Sequence, residues 1–336
     1  MIKLISTLLT LGFCVSAFGA DYKLLKSLPL GGEGGWDYAL ADADSRKLFI
    51  SRGTHVSVMD MDSEKIIGDI ADTPGVHGIA VSTKAGKGFI TSGRAGRVDI
   101  FDLSTLAKTG SVAAGKNPDA ITYDAVSDRI FALNGGSSDA TVIGASSGKV
   151  NGTIPLGGKP EGAVPDGAGH VYVNVEDTAE IAEIDSKRMT VTRRFKIDGC
   201  DEPSGLAIDT KNHRLFAGCG NKIMAVVDSN SGKTIAKLPI GSGVDACDFD
   251  PATGFAFAST GDGHMTIVKE SSPGKFSVVQ TVTTQQSART MTLDRKTHKA
   301  YLAAAKFAPA APAAAGGPRK WPAMLPNSFV LLVVGE

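Results

Sequence analysis

Seven polar residues of this 336-residue chain stand at near-constant spacing: Asp37, His77, Asp119, Glu161, Ser204, Asp245 and Arg289. The intervals between them are 40, 42, 42, 43, 41 and 44 residues. Carboxylates accept hydrogen bonds and gather cations, an imidazole beside acids is a candidate general base, and a guanidinium grips carboxylate or phosphate as a fork. Brought to one place, these side chains would form a concavity able to recognise a small polar or anionic molecule. Within the series the neighbours Asp37, His77 and Asp119 are the set that could share a divalent ion, and an oxygen-rich ring suits Ca²⁺ or Mg²⁺ better than Zn²⁺. No HExxH, EF-hand loop or CxxC occurs, so no metal site is assigned, and a divalent cation is left open as the one conceivable cofactor. P-loop and GxGxxG patterns are absent as well, and no GxSxG string stands on the strand–turn–helix step of a hydrolase elbow, which removes the common hydrolase-elbow and nucleotide-binding classes.

The spacing comes from a repeated element. The stretch "KNPDAITYDAVSDRIFALNG" (116–135) alternates apolar and polar residues, turns, and alternates again, as a β-hairpin does. Counterparts begin at Trp36, Val76, Pro160, Pro203, Val244 and Ala288, and each is followed by a third and a fourth short strand, as in "KIMAVVDSNSGKTIAKLPIG" (222–241). Helical periodicity is absent. Four short strands in about 42 residues is the pattern of a β-propeller blade. The chain therefore reads as all-β, a seven-bladed propeller. Its last copy ends on a third strand, "NSFVLLVVG" (327–335), and the spare N-terminal strand at 22–30 is expected to complete that blade and close the ring.

In such a ring the starts of the inner strands and the ends of the second strands open on one face. This places the seven spaced residues around one mouth of the central channel. It adds Trp36 beside Asp37, and Arg94, Asn134, Glu176 and Lys306 from second-strand ends, to the candidate ligand-binding set Asp37, His77, Asp119, Glu161, Asp245 and Arg289. Arg52, Ser92, Asn174, Cys219 and Thr260 occupy equivalent second-strand ends.

These repeats resemble the YVTN-repeat, YncE-like, seven-bladed propellers of bacteria. The likeness lies in apolar-Asp-x-x-x-Gly-Lys units, in Ile-Pro-x-Gly and Pro-Asp/Glu-Gly/Ala steps, and in the strand "VYVN" (171–174). It covers the whole chain after the leader and implies the fold and export. It implies no shared reaction.

The first 19 residues, a lysine followed by an apolar run and small residues, read as a secretory signal, with the propeller domain at 21–336. The expected location is the periplasm or the outside of a bacterium, with no membrane span and a monomeric protein. Lysine plus arginine equals aspartate plus glutamate at 35 each, so no basic field recruits nucleic acid. Of the three cysteines beyond the leader, Cys219 falls opposite Pro203 across the fifth hairpin and hence near Cys200, so a Cys200–Cys219 disulfide is expected and Cys247 is left over. The Ala/Pro-rich segment 306–327 is an inserted loop on the mouth face, with Lys306, Arg319, Lys320 and Trp321 able to meet a ligand.

The functional expectation is a binding or scaffold protein recognising a small polar or anionic ligand, or an envelope protein, at the mouth. The runner-up is a metal-assisted lyase or lactone hydrolase using His77 and its acidic neighbours. A third class, single-stranded nucleic-acid binding, is disfavoured by the neutral charge.

Overall fold

Alternation becomes sheet throughout the repeats. The structure, a computed structural model, describes residues 19–32, 34–309 and 322–336. The leader up to residue 18, and Arg319, Lys320 and Trp321 of the inserted loop, lie outside them. Seven sheets of four antiparallel strands form the blades, and in six of them the strands follow chain order from the axis outward. Blades 1 to 6 occupy residues 39–70, 76–113, 118–155, 160–196, 203–239 and 244–283. Blade 7 combines Thr290–Asp294, Lys299–Ala304 and Val330–Gly335 with the N-terminal strand Lys23–Pro29, so the ring closes as the unused first strand foretold.

Burial explains the composition of each strand. Second strands such as Arg129–Asn134 are buried on both faces and read as continuous apolar runs, because neighbouring blades cover them on either side. Outer strands such as Lys149–Pro155 are mostly exposed and carry lysine, asparagine and threonine. The core is a set of wedges between blades: Leu48 and Ile50 of blade 1, for example, pack on Tyr301 and Leu331 of blade 7. At the N-terminus Tyr22 is buried against Phe255 and Phe257 of blade 6.

Cations stitch the blades at the end away from the mouth. Arg46 of blade 1 pairs with Asp294 of blade 7 at 2.9 Å, Arg129 of blade 3 donates to the Ser186 carbonyl of blade 4 at 2.6 Å, and Arg214 of blade 5 meets Glu270 of blade 6 at 3.4 Å. The expected disulfide is present: Cys200 and Cys219 are bonded, with Pro203 opposite Cys219 in the hairpin register. Cys247 is free, and burial pushes its thiol up to about 12, so it stays protonated at neutral pH.

Candidate functional site: the channel mouth

In five blades the inner hairpin carries a register shift at its very start, between Val76 and Ile79, Pro118 and Ile121, Pro160 and Ala163, Pro203 and Leu206, and Val244 and Ala246. The spaced polar residue falls inside each of these intervals. A β-bulge bends the strand and re-aims the side chain it contains. Here it turns His77, Asp119, Glu161, Ser204 and Asp245 out of the alternation and towards the mouth. Glycine often follows, because the next inner strand comes very close: a Cβ on Gly205 would lie 2.5 Å from the Cys247 amide nitrogen.

Buried hydroxyl and amide groups then pin the ring. Thr91 donates to the Asp119 carbonyl at 2.5 Å, Asn174 to the Ser204 carbonyl at 2.9 Å, and Thr290 to the Asp37 carbonyl at 2.5 Å. The Ser259 hydroxyl does the same for the carbonyl of Arg289. Each bond joins one blade to an inner strand of the next, so the mouth residues hang from a fixed backbone.

Side chains from five blades meet there. His77 Nδ1 lies 2.5 Å from Asp37 Oδ2 and 3.5 Å from Asp119 Oδ1. Arg289 sits between Asp37, at 3.5 Å, and Asp245, at 3.3 Å. Beside them Lys159 bridges Glu161, at 2.6 Å, and Glu176. Tyr38, next to Asp37, packs both on the core of blades 1 and 2 and on that of blades 3 and 4, and so crosses the channel below the ring.

Negative charge is in excess. Burial pushes the Asp119 carboxyl up to about 6; the nearby charges of Asp37 and Asp245 add to this, against the opposing pull of His77 and Lys159. Burial also raises Asp245 to about 6, with Arg289 opposing and Asp37 adding. Glu161 moves in the same direction, chiefly by burial and despite Lys159. For His77 burial opposes the charged form, but the Asp37 hydrogen bond and the charges of Asp119, Asp37 and Glu161 outweigh it and raise its pKa above 6.5. The Tyr38 phenol is pushed far up, first by burial and then by the charges of Asp119, Asp37, Glu161 and Asp245.

The second-strand candidates fare differently. Asn134 is fully buried and donates to Asp139 and Thr141 within its own blade. Ser92 donates to Asp99, Thr260 to Asp262, and Arg52 to the Gly31 carbonyl while stacking 3.7 Å above Phe329. Each ties a loop rather than facing the channel. Arg94 and Lys306 are exposed on the mouth face, outside the cluster. Trp36 packs between Phe329 and Phe307, with its indole nitrogen buried and without a hydrogen bond among the described residues. Its edge lines a cavity of about 1050 Å³, shared with Val244, Gln285, Arg289, Phe307 and Leu325, that opens beside the ring. Sequence reading missed Lys159, Tyr38 and the pinning residues Thr91, Ser259 and Thr290, while Asn174 was in phase with the second-strand ends. The signal for Lys159 was its place two residues before Glu161.

No family model and no curated protein matches the chain. Among solved structures it is similar to the hydrazine synthase of Kuenenia stuttgartiensis, with a TM-score of 0.68 and 16% identity over 82% of this chain and 92% of that one. At that identity the likeness carries the β-propeller fold alone. No helix among the described residues is long and apolar enough to cross a membrane.

Proposed function

We propose that this protein is an exported binding protein whose ligand sits in the channel mouth and presents a positive centre to the ring. One observation carries the reading: Asp37, Asp119, Glu161 and Asp245 stand at one mouth with only three cations, Arg289, Lys159 and His77, among them, and burial together with mutual repulsion makes three of the acids hold their protons unusually tightly. Burying like charges together is unfavourable unless something compensates them. A ligand bearing a cation would supply the missing charge, and Arg289 could hold an acidic group on the same molecule. Polar ligands with a positive centre therefore fit better than purely anionic ones. The disulfide suits an oxidising compartment and supports export.

A second reading has its own observation. Asp37 orients His77, the arrangement that prepares an imidazole for proton transfer, and a metal-assisted lyase or lactone hydrolase would use it. Packing weighs against a base at Nε2, because a Cβ on Gly93 would lie 2.8 Å from that nitrogen. Nucleic-acid binding loses support, since Trp36 is packed away from the ring.

The test is thermal unfolding of the mature protein with putrescine, arginine, choline, citrate, phosphate and a series of divalent cations, each repeated in Asp245→Asn. Binding to the native state raises the melting temperature by mass action. A rise with a cationic compound that the variant loses is the expected outcome. No rise, or a rise with citrate or phosphate alone, overturns the reading.

A further inference from the structure

The reading of the mouth as a cation-seeking site leaves open which kind of cation it takes, and three side chains bear on that choice. Asp37, His77 and Asp119 come from consecutive blades, and one donor atom from each lies within 4.8 Å of the other two. Both carboxylates face the same nitrogen, His77 Nδ1, at 2.5 and 3.5 Å. One proton on that nitrogen can serve only one of them. Asp37 takes it, and Arg289 approaches the other oxygen of Asp37 at 3.5 Å.

Asp119 is left over. Its backbone carbonyl is pinned by Thr91, and its side chain is 16% exposed. Among the described residues its carboxylate accepts no hydrogen bond and has only the 3.5 Å approach of His77. A mostly buried acceptor held in place without a donor is an arrangement that an unmodified fold pays to keep. Next to it, the phenol of Tyr38 lies in the field of the same acids and makes no hydrogen bond among the described residues. The Nε2 edge of His77 faces Gly93, where a Cβ would lie 2.8 Å from that nitrogen, so little room is left for the ring on that side.

We propose that Asp37, His77 and Asp119 bind a divalent transition cation, Mn²⁺ or Zn²⁺, which takes the place of the proton between His77 and Asp37 and gives Asp119 its missing partner. The inference rests on the reading of the mouth above and specifies its positive centre. One imidazole nitrogen with two carboxylate oxygens is a mixed donor set, which suits these ions better than the all-oxygen preference of Ca²⁺ or Mg²⁺. Metal–ligand distances of about 2.0–2.2 Å require the closest pair of donors to open and the widest to draw in slightly. Three protein ligands leave coordination positions facing the mouth, where an organic ligand or water would complete the shell. The donors stand on backbone pinned from neighbouring blades, so the site is held by the ring as a whole.

The test uses metal-stripped mature protein titrated with Mn²⁺, following loss of the free-ion electron paramagnetic resonance signal, with Zn²⁺ added in competition. The expected result is one Mn²⁺ per chain, displaced by Zn²⁺, with affinity lowered at least about tenfold in each of His77→Gln and Asp119→Asn. His264→Gln, which removes the separate His264–Asp262 contact, should bind as the wild type does. Circular dichroism of each variant confirms folding. No binding up to millimolar ion, or equal binding in wild type and both ring variants, overturns the proposal. If putrescine still raises the melting temperature of the metal-free protein while no ion binds, the metal assignment fails and the reading of the mouth stands. If neither binds, both fail.

Discussion

The two ends of the inner strands show opposite treatments of acidic side chains. At the end away from the mouth stand Asp42, Ser82, Asp124, Asp166, Asp209, Asp250 and Asp294, each five residues after its counterpart in the mouth ring. There the acids are tied into the turns by donors, although one oxygen of Asp124 is buried without one among the described residues. Asp124 accepts from the Ser127 amide and hydroxyl, Asp209 from the Lys211 and Asn212 amides, and Asp294 from Thr297, the Lys296 amide and Arg46. Five residues away Asp119 has no hydrogen-bond donor among the described residues, and Asp245 has the Thr290 hydroxyl and shares Arg289 with Asp37. Same strand, same residue type, different environment: the turn end spends its acids on holding the fold, and the mouth does not.

Titration follows from that contrast with opposite signs. At Asp294 burial opposes ionisation, but bonds from Thr297 and Arg46 outweigh it and hold the pKa below 3.8; Asp166 is likewise depressed, through bonds from the His170 and Ala168 amides that outweigh burial. Groups of this kind contribute stability that is fully present above the unfolded value near 3.8 and is lost as the pH falls through their folded values. Asp119 and Asp245 titrate near 6 in the folded protein. Between about 3.8 and 6 the native state therefore holds protons that the unfolded chain has released, and stability falls as the pH rises across that window.

Breaking the turn end should have the largest effect. Asp294 is fully buried, and Asp294→Ala leaves the Arg46 guanidinium, only 12% exposed, without its buried partner. The expected loss is about 3–5 kcal/mol in urea unfolding. A loss below about 1 kcal/mol would place this pair with ordinary surface bridges and undo the contrast.

At the mouth the sign reverses. Asp245→Asn removes a poorly neutralised charge and should raise stability at pH 7.5 by roughly 1–2 kcal/mol, after Arg289 loses one partner, and change little at pH 4.5. Equal destabilisation at both pH values would mean that Asp245 is a structural acid like those at the turns. The smallest effect is expected from the pinning bonds. Thr91→Val deletes the hydroxyl that serves both the Gly78 amide and the Asp119 carbonyl, and should cost about 1 kcal/mol while weakening whatever binds at Asp119. Unchanged stability with unchanged ligand binding would show that the ring does not depend on this pin.

The repeat made the fold and half of the site readable. Inner-strand residues could be found by phase alone, because every blade repeats one geometry, and Asp37, His77, Asp119 and Arg289 do meet. The second-strand ends were equally regular in the sequence, yet Asn134 and Thr260 turn into their own loops. Phase gives a position along a strand; it does not give the direction of a side chain beyond the last regular pair. The bulges that aim Glu161 and Asp245 depend on a one-residue register slip, which leaves only a trace in the sequence, the small residue that follows. Tyr38 was hidden for a different reason: it is out of phase with the spaced polar residues, and only the assembled ring shows it packing on the cores of blades 1 and 2 and of blades 3 and 4.

One measurement reaches the central claim directly: side-chain carboxyl pKa values by carbon NMR on aspartate-labelled, metal-free protein, assigned with single Asp→Asn variants. The account predicts that Asp119 and Asp245 titrate near 6, while Asp166 and Asp294 on the opposite face titrate below 3.8. If all four titrate together in the ordinary carboxylate range, the mouth carries no unmet charge, and its ring of acids is no more a binding site than the turns are.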